Sequence, residues 1–290
     1  MPGTTLISIK HILFPVDFSN RSDGAAPFVA ALAAKYGAQV TLLTAAHANY
    51  AGGLAGAPMI DPQSILDAVQ EQLDRTYLAE FSGLNLRRVT VPGEPAREII
   101  DFAAANAVDL VMMTTHGRGP FRQLLLGSVA AKVLHDVHVP VWTTAHSAEA
   151  PDHLHLAMRK ILCAVDTSPA SAGLLRWASA LSQTLGADLR LVHSVPGMEA
   201  WPEQDLGPEF EATLRENARK TIQDLAQAAA VDAPISIGTG TVPDVVREEA
   251  VKQGADLIVI GRGVLQGTLG RLRTHAYGII RNAPCPVISV

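Results

Sequence analysis

Cysteine is nearly missing from this 290-residue chain, which has only Cys163 and Cys285. Two thiols are too few for a disulfide framework, so a reducing, cytoplasmic setting is the simpler expectation. Aromatic residues are scarce as well, at 5% against 48% hydrophobic residues in all. The core must then be built mainly from Ala, Val, Leu and Ile, a palette suited to parallel strands covered by Ala-rich helices. There is no large excess of charge. A formal net charge of −5 carries no electrostatic footprint for nucleic acid. No apolar run approaches the ~18 residues that span a bilayer. Residues 1–10 lack the apolar stretch and charged flank of a signal peptide. Neither a nucleic acid nor a membrane is expected as a partner.

Several motifs are absent too. There is no Gly-x-x-x-x-Gly-Lys-Ser/Thr phosphate loop, and no Gly-x-Gly-x-x-Gly after the first strand-like run. Gly-x-Ser-x-Gly and His-Glu-x-x-His do not occur, which removes the simplest hydrolase and metalloprotease readings. The close histidine pairs His135/His138 and His153/His155 have no neighbouring cysteine ligands, so no metal site is expected from them. Nor does the sequence present a paired base or nucleophile around His116, so no catalytic residue is assigned.

What is present is a repeat. Lys10-His-Ile-Leu-Phe-Pro-Val-Asp17 returns as Lys160-Ile-Leu-Cys-Ala-Val-Asp166, and Ala38-Gln-Val-Thr-Leu-Leu43 as Ala187-Asp-Leu-Arg-Leu-Val192. Asp109-Leu-Val-Met-Met113 matches Asp256-Leu-Ile-Val-Ile260, and Val139-Pro-Val matches Cys285-Pro-Val. The offsets of 149, 149, 147 and 146 residues hold order and spacing across the whole half. Two domains follow, residues 1–146 and 159–290, joined by a small polar linker at 147–158. In each, strand-like runs alternate with helical segments, which predicts an α/β fold with a parallel sheet and helices on both faces. In the first half the strands are expected at 11–16, 39–45, 86–91, 109–114 and 139–144. The intervening helices are expected near 22–36, 62–82, 95–106 and 124–136. Ser168-Pro169 reads as an N-cap and first-turn pair in the second half. Both cysteines read as packing residues.

On such sheets ligands sit beyond the carboxyl ends of the strands, which points to Asp17, residues 44–46 and the loop after strand four. That loop runs Thr114-Thr-His-Gly117-Arg118-Gly119 on to Gly127-Ser128. Glycines let backbone amides approach an anion, and the helix opening at Gly127-Ser128 would favour negative charge. Arg118 and Arg122 could add charge-assisted contacts.

This stretch resembles the nucleotide signature of ATP-binding universal stress proteins: Gly, two residues, Gly, nine residues, Gly, then Ser or Thr. Gly117, Gly127 and Ser128 fit it, while Thr114 stands at the first glycine position. The resemblance extends over nearly the whole chain, twice. It implies a sheet order of 3-2-1-4-5, and ATP or another adenine nucleotide in domain 1, with or without Mg. The implied contacts are Pro15, Val16, Asp17, Ala45, Met113, Thr114, Gly117, Arg118, Gly127, Ser128 and Val129. It also implies pairing of the two halves as an intramolecular pseudo-dimer, with a further homodimer. The second half departs from the pattern. Asp166, Gly261, Gly263 and Thr274 mark a weaker second site, and Arg273 replaces the helix-start glycine. Three readings stay open: a stress-response regulator that binds nucleotide with little or no catalysis, an interaction module of the same fold without nucleotide, and a weak ATP-hydrolysing or nucleotidyl-transferring enzyme.

Overall fold

A computed structural model of the chain describes residues 7–46, 61–115, 126–144, 155–197, 208–262 and 271–290. The chain divides into two compact units, one of Ser8–Asp152 and one built on His153–Val290, called domains 1 and 2 below. Domain 1 runs β1 (His11–Pro15), α1 (Asn20–Tyr36), β2 (Gln39–Ala46), α2 (Pro62–Asp74), β3 (Leu86–Pro92), α3 (Pro95–Ala105), β4 (Leu110–Met113), α4 (Ser128–Asp136) and β5 (Val141–Thr143). Domain 2 repeats the order as β6 (Lys160–Ala164), α5 (Ser171–Leu185), β7 (Asp188–Val195), α6 (Pro208–Ala228), β8 (Ile235–Thr239), α7 (Val242–Gln253), β9 (Leu257–Ile260), α8 (Arg271–Asn282) and β10 (Val287–Ser289).

Within domain 1 the strands stand β3-β2-β1-β4-β5, and within domain 2 β8-β7-β6-β9-β10. Every pair described within a domain is parallel. Both halves therefore have the order 3-2-1-4-5. The central strands are apolar because helices cover them: Ile12, Leu13 and Phe14 in β1, and Ile161, Leu162 and Cys163 in β6, are all buried. Each of the Ile, Leu and Phe side chains contributes roughly 1.5–3 kcal/mol relative to exposure. In α1 the inward face is Ala25, Ala26, Phe28, Val29, Leu32 and Ala33, where alanines let the helix approach the sheet. Gly37 and Gly186 end α1 and α5 at φ of 63° and 67°, a left-handed turn that favours glycine.

The repeat extends to single hydrogen bonds. Asp109 Oδ2 accepts from the amides of Lys10 (2.7 Å) and His11 (3.0 Å). Asp256 Oδ2 accepts from Arg159 (2.8 Å) and Lys160 (3.0 Å). In both domains this carboxylate pins the start of the first strand to the start of the fourth. At the opposite edge, the Val16 amide donates to Leu43 O and the Val165 amide to Val192 O.

Several boundaries differ from the sequence expectation: α4, expected from near 124, begins at Ser128, and β5, expected at 139–144, is confined to Val141–Thr143. The helix expected to reach residue 82 stops at Asp74, where Arg88 of β3 donates to the carbonyls of Leu73 (3.0 Å) and Thr76 (2.9 Å). Tyr77 then turns left-handed at φ 55°. Ser168-Pro169 does not cap α5. That helix begins at Ser171 after Ala170, with no side-chain cap bond. The Ser168 amide is instead held by Asp166 Oδ1 at 2.8 Å. The thiols are buried, and burial pushes Cys163 and Cys285 up to about 12, so at neutral pH both are packing groups rather than nucleophiles.

Candidate functional site at the carboxyl edge

The carboxyl edge of domain 1 gathers the ends of β1, β2 and β4 with the start of α4. The sheet order forces this: β1 and β4 are neighbours, and the chain leaves them in opposite directions, which opens a crevice. Pro15, Val16 and Asp17 lie at the end of β1, Ala45 near the end of β2, and Met113 and Thr114 at the end of β4. Val16 and Met113 are buried, whereas Pro15, Asp17, Ala45 and Thr114 are half-buried. Gly117 and Arg118 lie outside the described residues, as does His116.

Asp17 builds the turn into α1. Its Oδ1 accepts from the Ser19 amide (3.1 Å), the Ser19 hydroxyl (2.6 Å) and the Ser22 hydroxyl (2.7 Å). Phe18 between them takes φ 55°, an uncommon conformation for a residue with a side chain. Ser19 caps the helix by accepting from the Ser22 amide. Three hydrogen bonds to Oδ1 thus hold the Asp17 side chain within the turn.

The start of α4 supplies the opposite polarity. Gly127 is its N-cap at φ −59°, ψ 145°, with no side-chain cap bond. Its own amide donates to Thr115 O at 2.9 Å, which ties the helix start to the residue after the β4 exit. The Gly127 amide is therefore already bonded. Donor capacity toward an anion passes to the first-turn amides of Ser128 and Val129 and to the Ser128 hydroxyl. Ser128 is exposed and Val129 half-buried.

Domain 2 reproduces the frame but changes the fittings. Asp166 Oδ1 accepts from the Ser168 amide (2.8 Å) and the Ser171 hydroxyl (2.7 Å). Partial burial raises its pKa, but the bonds from Ser168 and Ser171 and the proximity of His193 outweigh this and hold it below the usual aspartate value. His193 takes the place of Thr44. The Thr44 hydroxyl donates to Val16 O at 3.1 Å, and His193 Nδ1 bonds Val165 O at 2.7 Å. Ser194 replaces Ala45 and donates to Gly240 O at 2.8 Å. Gly261 follows β9 and is exposed, and Gly263 lies outside the described residues. Thr274 is the fourth residue of α8 rather than its first, so its amide belongs to the helix ladder and not to the open first turn. A cavity of about 470 Å³ opens here, lined in part by Asp166, His193, Gly261 and Arg262. His193 and Arg262 had not been singled out from the sequence.

Against known proteins, the model of the universal stress protein family matches residues 8–144 and again 158–290. The chain belongs to this family. It carries two universal stress protein domains in tandem. A universal stress protein of Methanocaldococcus jannaschii is 31% identical over 135 residues, which is 46% of this chain and 79% of that protein. One from Mycobacterium tuberculosis is 28% identical over 140 residues, and the match spans 46% of that protein's length. A universal stress protein structure from Archaeoglobus fulgidus covers 96% of this chain and 95% of its own at TM-score 0.67. At 22% identity that likeness concerns the fold. Among the described residues, no helix is long and apolar enough to cross a membrane, and no group of three or more His, Cys, Asp or Glu could hold a metal ion.

Proposed function

We propose that domain 1 binds an adenine nucleotide, ATP in the first instance, and acts as a binding regulator in a stress response. The observation that carries this reading is the pairing of two features at one crevice. The rigid Asp17 turn closes one side. The α4 start, with Gly127 anchored to Thr115 O, presents first-turn amides on the other. Helix starts of this kind favour phosphate through amide donors and the helix dipole. The base would lie toward Val16, Asp17 and Ala45, and the phosphates toward Gly127, Ser128 and Val129. Thr114, Met113 and Pro15 would line the ribose side, with Gly117 and Arg118 completing the phosphate loop.

Isothermal titration calorimetry of ATP into the full chain tests this. Binding is expected in the wild type and is expected to weaken at least tenfold in Gly127→Ala, about 1.4 kcal/mol. Gly127 has a backbone conformation that alanine tolerates, so the substitution reports crowding at the phosphates rather than misfolding. Absence of binding at millimolar ATP contradicts the reading. Equal affinity in Gly127→Ala contradicts the placement of the phosphates. ATP turnover that survives repurification and is lost in Asp17→Asn, which keeps an Oδ1 acceptor, would replace regulation by hydrolysis.

A further inference from the structure

We infer that the cavity at the carboxyl edge of domain 2 is a site for a compact, uncharged, apolar molecule. This inference is independent of the nucleotide reading of domain 1. The cavity measures about 470 Å³, within the range of small-molecule sites, roughly 300–1,000 Å³.

Its apolar wall is drawn from five elements: Leu174 of α5, Val192 of β7, Val246 of α7, Ile260 of β9 and Ile279 of α8. All five residues are buried. Aliphatic groups from helices and strands alike thus converge on one space, unlike the stripe of a single amphipathic helix. Water in such a space finds few partners. An apolar ligand that displaces it removes both its own surface and the wall from water.

The polar side chains of the lining are committed to the protein. The Ser171 hydroxyl donates to Asp166 Oδ1 at 2.7 Å, and the same oxygen accepts from the Ser168 amide at 2.8 Å. The Ser194 hydroxyl donates to Gly240 O at 2.8 Å. His193 Nδ1 is bonded to Val165 O at 2.7 Å. Arg262 is engaged within the protein as well. A charged ligand would have to break into these bonds to find a partner, and a charge left unpaired in an apolar site is costly. An uncharged ligand leaves them all in place.

Anions are opposed for a second reason. The Asp166 carboxylate, ionised at neutral pH because its pKa is lowered, repels them. Phosphates fare worst, since Thr274 lies a turn inside α8 and the Ser/Thr position of the phosphate signature offers no open amide.

Strand order sets the size. The lining passes from Val192 on β7 over Ala164 on β6 to Ile260 on β9, which are neighbours in the sheet. Two interstrand steps of ~4.8 Å make about 10 Å, the reach of a few fused or linked rings.

The probe is N-phenyl-1-naphthylamine, an uncharged three-ring molecule whose fluorescence rises in apolar surroundings. Titration into the full chain is expected to give saturable enhancement with one molecule per chain. The anion 8-anilinonaphthalene-1-sulfonate has the same rings and one sulfonate, and is expected to bind at least tenfold more weakly. Ala164→Leu and Ala276→Phe add volume from β6 and α8 at half-buried positions on the cavity. Each is expected to weaken the uncharged probe at least tenfold. Two variants on separate elements, each checked for an unchanged unfolding midpoint, keep the test from resting on one misfolded chain. In Gly127→Ala, which disables the site proposed for ATP, millimolar ATP is expected to leave probe affinity within twofold. The inference is overturned by no saturation up to the probe's solubility, by equal or tighter binding of the sulfonate, by full affinity in both filled variants, or by displacement with ATP in Gly127→Ala. Loss of ATP binding to domain 1 would not touch it, so the two proposals fail separately.

Discussion

The two domains share a frame and differ at the carboxyl edge of the sheet. At the amino ends of the strands, Asp109 and Asp256 make the same pair of backbone bonds. At the carboxyl ends, Thr44 gives way to His193 while both keep the bond to the β1-type carbonyl, and Ala45 gives way to Ser194. Thr115, fully buried and accepting from the α4 cap, corresponds to Arg262 on the cavity of domain 2. Bonds that hold strands in register admit few substitutes. Side chains that only line a crevice can change so long as one atom keeps the backbone contact. Duplication of the fold therefore does not entail duplication of the ligand.

The core offers the largest test of this contrast. Phe14 stacks on Tyr77 at 5.9 Å and packs against Phe81 at 6.4 Å, whereas its repeat partner is Cys163. Phe14→Ala is expected to cost domain 1 about 3–5 kcal/mol, and Cys163→Ala to cost domain 2 about 1 kcal/mol. Denaturant unfolding in backgrounds that keep only Trp142 or only Trp177 of the three tryptophans reads the two separately; equal losses would break the comparison. The shared frame should respond alike. Asp109→Ala and Asp256→Ala are each expected to cost about 1–3 kcal/mol by the same measurement, and a clear inequality would show that the repeated bonds are not equivalent.

Two smaller effects sharpen the picture. Neither thiol should react with a thiol reagent at pH 8 in the folded chain, since both are pushed up to about 12. Rapid labelling without unfolding would contradict their burial. Asp166 is held below the usual aspartate value, so its bonds stabilise domain 2 above the unfolded pKa and lose that contribution as pH falls through the folded one. Acid unfolding of wild type and Asp166→Asn should diverge in that window, with the variant less dependent on pH. Parallel curves would remove Asp166 from the account.

Much of the frame was legible in the sequence because it rests on local signals. Apolar runs, Gly37 and the repeat offsets foretold the strands, the end of α1 and the tandem organisation. Part of what was not legible depends on partners distant in sequence. The end of α2 is set by Arg88 from β3, and no signal within 62–82 announces it. The start of α5 was missed for a local reason: residues 168–172 close i to i+3 turns first, with the Ser171 amide on Ser168 O (3.1 Å) and the Ala172 amide on Pro169 O (3.3 Å). His193 was within reach: it directly follows the matched segment Ala187–Val192, opposite Thr44, and a polar ring at that edge was a usable signal. Arg262 was hidden between Gly261 and Gly263, where attention to glycines favoured an anion loop over a cavity wall.

The central claim is asymmetry between two copies of one fold, and the stoichiometry of ATP binding tests it most directly. Calorimetry on the full chain should give one ATP per chain, weakened at least tenfold by Gly127→Ala and unchanged by Arg262→Gln. Two equivalent ATP sites per chain, or a single site lost with Arg262→Gln and retained with Gly127→Ala, would contradict the account.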